Sequence, residues 1–427
     1  MKSEVIPNVK QKYLLLFFSI FILYLFIMPK TGHKWDILCW QNWAIYIFKH
    51  GLRNVYDSDT NYLPIYQYIL WFFVKIQGSE QAIIDHIYYL KVISLLFDFF
   101  TGFLLIKIIH EKFKNIEQSL FMSLFYFVNI FIFYNSVIWG QVDGIVTSFV
   151  FLSFFFAIKE NKILALILLV ISINMKLQAI IFLPFIGLII LPQFLNEFKI
   201  KTILIGIFSM LACQFLILFP FILNGSVEKV WAVVTDSMGR FPVVSLSASN
   251  LWHLLTNKAP YSIQNTEIFI VFSYKTIGYF LFFTFSFLAL FPLTQATFHS
   301  LKNKSKMNIS LEKLLLIGAL IPLLFFYLNT QMLERYSHPA LIFLIAYCII
   351  KENFWLGFLG CFAYFSNLEC VLKHFEFSNY EALPFNPKFT AVLFSLTILA
   401  LFDKLYEFGI QERMQTEFNK IKSIIKI

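Results

Sequence analysis

The chain has 427 residues, of which 59% are hydrophobic, 19% aromatic and only 14% charged, and its mean hydropathy is +0.72. No soluble core needs that much apolar surface, so composition excludes a water-soluble globular domain and indicates a polytopic helical membrane protein. The formal net charge of +9 comes with no basic patch free of membrane context, which argues against nucleic acid and assigns the lysines to topology.

Read in chain order, apolar runs of about 17–25 residues mark about twelve spans. They lie near 13–29, 87–110, 118–137, 144–158, 163–175, 178–194, 202–223, 267–296, 312–328, 339–350, 354–369 and 389–404. The runs at 163–175 and 339–350 are short. The first run lacks a small-residue cleavage site and continues into Met28-Pro29-Lys30, which predicts a retained anchor. Three connecting loops are long enough to fold: 30–86, 224–266 and 370–388. In the first, Ile37, Trp40, Ala44, Ile47 and Phe48 recur at helical spacing, with Gln41, Asn42 and Lys49 elsewhere on the wheel. This pattern predicts an interfacial helix that ends at Gly51. A second interfacial helix is expected from Pro64 to about Ile76. Cys39, Cys213, Cys348, Cys361 and Cys370 are scattered, with neither metal spacing nor a paired framework.

Lysine and arginine set the expected orientation. With the N-terminus inside, inner segments carry Lys107, Lys112 and Lys114, then Lys159 and Lys162, Lys199 and Lys201, Lys302, Lys304, Lys306 and Lys313, and Lys351. A basic tail over 405–427 completes the series, as the positive-inside rule expects. The whole chain, 1–427, is then one all-α module with both termini cytoplasmic and its chemistry on the opposite face.

That chemistry rests on polar groups at span borders, where charge is expensive and marks function. Asp36 follows the first span. Trp139, Gln141 and Asp143 occupy one junction, and Lys176 with Gln178 another, where a re-entrant or interrupted helix fits. Asn250 and Trp252 sit in the second loop; Glu334, Arg335 and His338 precede a late span. Lys91 and Asp98, seven residues apart on one helix face, read as structural. Asp57-Ser58-Asp59 has D-x-D spacing, but its polar setting reads as a turn.

Taken in order, these motifs resemble the GT-C glycosyltransferases, and within them the bacterial relatives of the second GPI mannosyltransferase and the dolichyl-phosphate-glucose glucosyltransferases. The likeness is carried by Trp35-Asp36 followed by Trp43-Ala44, by Asn61-Tyr62-Leu63-Pro64-Ile65-Tyr66, and by Asn135-Ser136-Val137-Ile138-Trp139-Gly140-Gln141-Val142-Asp143. It continues through Asn174-Met175-Lys176-Leu177-Gln178, Gly239-Arg240-Phe241-Pro242, Ala248-Ser249-Asn250-Leu251-Trp252 and Glu334-Arg335-Tyr336-Ser337-His338-Pro339. It covers roughly residues 30–345. The resemblance implies inverting transfer of a hexose, mannose or glucose, from a polyprenyl-phosphate carrier to a glycan or glycolipid at the non-cytoplasmic face, in a bacterial inner membrane or the endoplasmic reticulum. It implies Asp36 as general base. Arg335, His338 and Lys176 are then expected to bind the donor phosphate. Trp139, Gln141, Asp143, Gln178, Glu334, Asn250 and Trp252 are expected to line the sugar and acceptor pocket. Many members carry a second acid beside the first; here Ile37, Leu38 and Cys39 follow Asp36, so a divalent metal is not indicated. A flippase for lipid-linked sugars and a non-catalytic partner in glycan assembly are the rival readings.

Overall fold

Long apolar runs in a chain with few helix breakers satisfy their backbone groups internally, and here they do so as helices. The computed structural model describes residues 2–237 and 239–409, with 2–8 described by backbone alone. The expected basic tail therefore lies outside the described residues from 410 onward. The described residues are 76% helix and 2% strand.

From the N-terminus, α1 (Lys2–Ile27) leads to α2 (Lys34–His50), α3 (Pro64–Gln77), α4 (Glu80–His86), α5 (Leu90–Phe113), α6 (Ile116–Phe127) and α7 (Ile130–Ile132). A π-helical turn, Phe133–Trp139, prolongs α7. Then come α8 (Asp143–Ile158), α9 (Lys162–Met175), a 3₁₀ turn (Leu177–Phe182), α10 (Leu183–Leu195), α11 (Ile200–Leu223), α12 (Val227–Ser237) and α13 (Leu251–Leu255). A two-residue hairpin, β1 (Ile268–Phe269) with β2 (Phe272–Ser273), precedes α14 (Tyr274–Asn303). The chain closes with α15 (Leu311–Leu328), α16 (His338–Lys351), α17 (Phe354–Leu372) and α18 (Pro387–Tyr406).

Among the described residues, eight helices are long and apolar enough to cross a membrane, or nine if Ile116–Phe127 and Ile130–Trp139, which meet at 41°, form one bent span. Helices α8, α9 and α16 are apolar but shorter. Burial explains why α16 tolerates a short length: every residue from His338 to Ile350 is buried, so protein rather than lipid surrounds it. At the periphery, only 11% of the apolar stretch of α11 is buried, against 78% for α15.

The first long loop folds close to expectation. Helix α2 buries Trp40, Trp43, Ala44 and Ile47 and stops at Gly51, whose φ of 80° suits only glycine without strain. Helix α3 opens with Pro64 at its first position, where a missing N–H costs nothing.

The helices segregate charge between two ends. At one end Lys112 pairs with Glu312 at 2.8 Å, Lys306 with Glu160 at 2.6 Å and Lys313 with Glu407 at 3.0 Å. The loops bearing Asp36, Asp143, Lys176 and Arg335 meet at the other.

Two of those loops are clamped by one ammonium. Fully buried Lys91, near the start of α5, shares its three N–H donors among four carbonyls within hydrogen-bond distance, those of Pro29 (3.0 Å), Val137 and Ile138 (each 2.9 Å) and Thr31. Gly140, at φ 89°, has room for no Cβ because the Lys91 stem lies 2.9 Å from where it would stand. The π-helical turn lets the Asn135 carbonyl accept from both Gly140 and Gln141, each at 2.9 Å. Lys91 and Asp98 do not bond each other; Asp98 accepts from Ser136, at the same turn. Lys91→Met leaves buried carbonyls unpaired, and we expect a loss of about 2 kcal/mol or more. Thermal unfolding in detergent would then show a lower midpoint than wild type; an unchanged midpoint would contradict the clamp.

Candidate functional site

The clamp brings Asp36 against the Trp139–Asp143 junction. Asp36 is the third residue of α2, one step inside the first turn rather than its cap, where a carboxylate also meets the positive end of the helix. Its Oδ2 accepts from Trp139 Nε1 at 3.1 Å and from Gln141 Nε2, and His33 Nδ1 lies 2.9 Å away. Its Oδ1 faces Arg335, whose terminal nitrogen is 3.8 Å off. One carboxylate oxygen is thus consumed by positioning bonds, and the other is turned toward the cluster.

Arg335 stands in the short loop ahead of α16. One terminal nitrogen bonds Glu334, leaving the other directed at Asp36 and Nε 4.0 Å from Asp143 Oδ2. Lys176, released from helical geometry at the end of α9, reaches Asp143 Oδ1 at 2.6 Å and lies 5.0 Å from the centre of the Tyr336 ring. Gln178, on the following 3₁₀ turn, donates to the Tyr336 carbonyl at 2.5 Å and so ties down the Arg335 loop. Asp36, Arg335 and Lys176 side chains keep 17%, 10% and 15% of their surface exposed, so a ligand can reach all three.

Electrostatics make the pair mutually dependent. Burial opposes ionisation of Asp36, yet Arg335, His33 and Trp139 overcome it and hold the carboxyl well below the usual carboxylate range. Burial likewise opposes the Arg335 charge, and Asp36 and then Glu334 outweigh it, holding the guanidinium's pKa well above its ordinary value.

Several buried polar atoms here have no hydrogen-bond partner within the protein: Gln141 Oε1, Asp143 Oδ2, Gln178 Oε1, Arg335 Nε, Ser337 Oγ and His338 Nε2. Each such atom costs about 1–3 kcal/mol if nothing pairs it, so these groups are open to bonds from a ligand or from water.

The remaining predicted residues divide. His338 is fully buried one layer behind, its Nδ1 2.9 Å from the Tyr364 hydroxyl, which donates to Asn135 at 2.9 Å. Trp139 is stacked on His33 at 4.9 Å between ring centroids; that face is closed to a sugar, and the indole serves Asp36 as a donor. Glu334 accepts from Ser247 and its carbonyl from Asn367 at 2.7 Å. Asn250 and Trp252 are not brought to the cluster. Asn250 caps α13 and reaches the carbonyls of Phe326 and Asn329, while Trp252 donates to Asn329 at 3.1 Å within a separate apolar cluster. In the D-x-D turn Asp57 pairs with Lys229 at 2.5 Å and Asp59 accepts from Trp43 at 3.0 Å. No group of three or more His, Cys, Asp or Glu side chains is arranged to hold a metal among the described residues.

Sequence reasoning missed His33, Ser247, Asn367 and Tyr364. His33 alone carried a signal, three residues before Asp36 at the mouth of the same helix.

The sequence matches no protein family profile and no curated protein.

The low Asp36 pKa has a testable sign. A carboxyl depressed in the folded state contributes stability that is present above its unfolded pKa, about 3.9, and lost as pH falls toward the folded value. The thermal midpoint of wild type over Asp36→Asn should therefore stay constant between about pH 5 and 8 and shrink below about pH 4. An advantage that disappears near neutrality would contradict the Asp36–Arg335 pairing.

Proposed function

We propose that the chain is a GT-C-type hexosyltransferase, using a polyprenyl-phosphate sugar as donor and a glycan or glycolipid as acceptor, with Asp36 as general base. The observation that carries this reading is the single turned-in Asp36 oxygen facing Arg335, with Lys176 and a set of unpaired polar atoms beside it. The likeness of the ordered motifs to that family adds to it.

In the proposed step, Asp36 Oδ1 takes the proton of an acceptor hydroxyl as its oxygen bonds the anomeric carbon of the donor sugar. The bond from that carbon to the phosphate oxygen breaks, its electron pair leaves with the phosphate, and configuration inverts. Arg335, through its second terminal nitrogen and Nε, and Lys176 meet the charge gathering on the leaving phosphate. Gln141 and Trp139 keep Asp36 aimed, so its oxygen needs no reorganisation during the step. Asp143 holds Lys176 in place and accepts a sugar hydroxyl with its free oxygen.

Counting the bent pair as one span and α8, α9 and α16 as spans gives the twelve expected from the sequence. On this reading α2 and α3 are interfacial, the lysine-rich end is cytoplasmic, and the site opens outward from a bacterial inner membrane. The endoplasmic reticulum lumen is the equivalent setting.

A deletion strain complemented with wild type or Asp36→Asn, its glycans and glycolipids weighed by mass spectrometry, tests the assignment. Wild type is expected to restore a hexose increment, and Asp36→Asn at equal expression to lose about 10²-fold or more of it. Equal restoration by both removes Asp36 as base and favours a flippase or a non-catalytic partner. Arg335→Lys, which keeps charge but loses the planar fork, should lower turnover by at least about tenfold in the same assay. Wild-type output from that variant would exclude Arg335 from the leaving-group site.

A further inference from the structure

Beside the Asp36 cluster, at the same end, lies a groove of about 780 Å³ between the turn after α2 and the helix α12. That volume falls within the range of small-molecule sites. Its walls include Asp59, Thr60 and Asn61 on one side and Lys229, Asp236 and Arg240 on the other. Asp59 and Asp236 line it with Lys229 and Arg240, and Lys229 is already neutralised by Asp57 at 2.5 Å, so the walls carry a slight acidic excess. Walls with a slight acidic excess and the hydroxyl and amide groups of Ser58, Thr60, Asn61, Thr235 and Ser237 suit a neutral polyhydroxylated ligand better than an anion.

Trp43 ties the groove wall to the helix that carries Asp36, and the Cys39 thiol of the same helix feels the charges of both Asp36 and Arg240. Asp36 and Trp43 are seven residues apart, two helical turns, hence about 10 Å along the axis on the same side. Trp43 donates to Asp59 at 3.0 Å, and its ring lies 5.4 Å from that of Tyr62. Thr60 is held by Gln67 at 2.9 Å, so the floor is fixed from behind by α3.

We propose that this groove seats the body of the acceptor, a neutral hexose oligosaccharide whose terminal hydroxyl reaches Asp36; the assignment of the occupant as acceptor rests on the transferase reading above. Asn61 and Asp236 bond sugar hydroxyls from opposite walls, and Arg240 adds donors at the rim. The groove extends the site by one or two sugar units.

Saturation-transfer NMR on the full chain in nanodiscs, with mannotetraose and maltotetraose as probes, tests it. Wild type should bind at least one tetrasaccharide saturably. The Asn61→Ala/Asp236→Ala double variant and, independently, Arg240→Ala should each weaken binding about fivefold or more, with thermal midpoints matching wild type. Absence of saturable binding by wild type, or undiminished binding in both wall variants, overturns the groove assignment. Retained binding in the groove alongside undiminished hexose transfer by Asp36→Asn would instead overturn the base assignment and leave the groove standing as a glycan site.

Discussion

A buried guanidinium has to be neutralised, and in this fold that requirement gathers the chain. Arg335 is 8% exposed and meets Glu334, Asp36 and Asp143, which arrive from its own loop, from the start of α2 and from the start of α8. Lys176 completes the arrangement from the end of α9 by pairing with Asp143. A buried charge left without partners is strongly destabilising, so each of these loops is held in register by the others. The apolar helices set the scaffold; the charge cluster decides how their ends are joined.

The cluster is not a fully closed salt-bridge network. Three carboxylates surround two cations, Arg335 approaches Asp36 and Asp143 only at 3.8 and 4.0 Å, and several neighbouring polar atoms stay unpaired. What is rigid is instead the support: the Lys91 clamp, the π-helical turn under Gln141, and the bond from Gln178 to the Arg335 loop. A loosely paired centre on a rigid frame is suited to exchanging its internal partners for those of a substrate.

Much of this was legible in the sequence, for identifiable reasons. The helix ends at Gly51 and Pro64 followed from backbone chemistry, and the apolar runs followed from hydropathy. Asp36, Asp143, Lys176 and Arg335 could be singled out because charge at a span border is costly wherever it occurs. Their mutual pairing could not be read, since it depends on which helix ends neighbour one another across as many as 299 residues between Asp36 and Arg335. Trp139 illustrates the limit: an aromatic at a span border suggests a stacking face, yet one face is taken by His33 and the indole N–H by Asp36. Asn250 and Trp252 illustrate another, because a polar residue beside an aromatic in a long loop serves helix capping as readily as ligand binding, and here it caps α13. Lys91 was legible as structural, but not its partners, which are backbone carbonyls and leave no trace in side-chain pattern.

A transfer centre at Asp36 and Arg335 parts the sugar from its carrier, whereas a passage moves the two together. Proteoliposomes holding the purified chain and a polyprenyl-phosphate hexose radiolabelled in the sugar separate the two. The account predicts that label moves from carrier to an added oligosaccharide acceptor in wild type and stays on the carrier in Asp36→Asn. Label that crosses the bilayer still joined to its carrier, at the same rate in both proteins and with none on the acceptor, would contradict it.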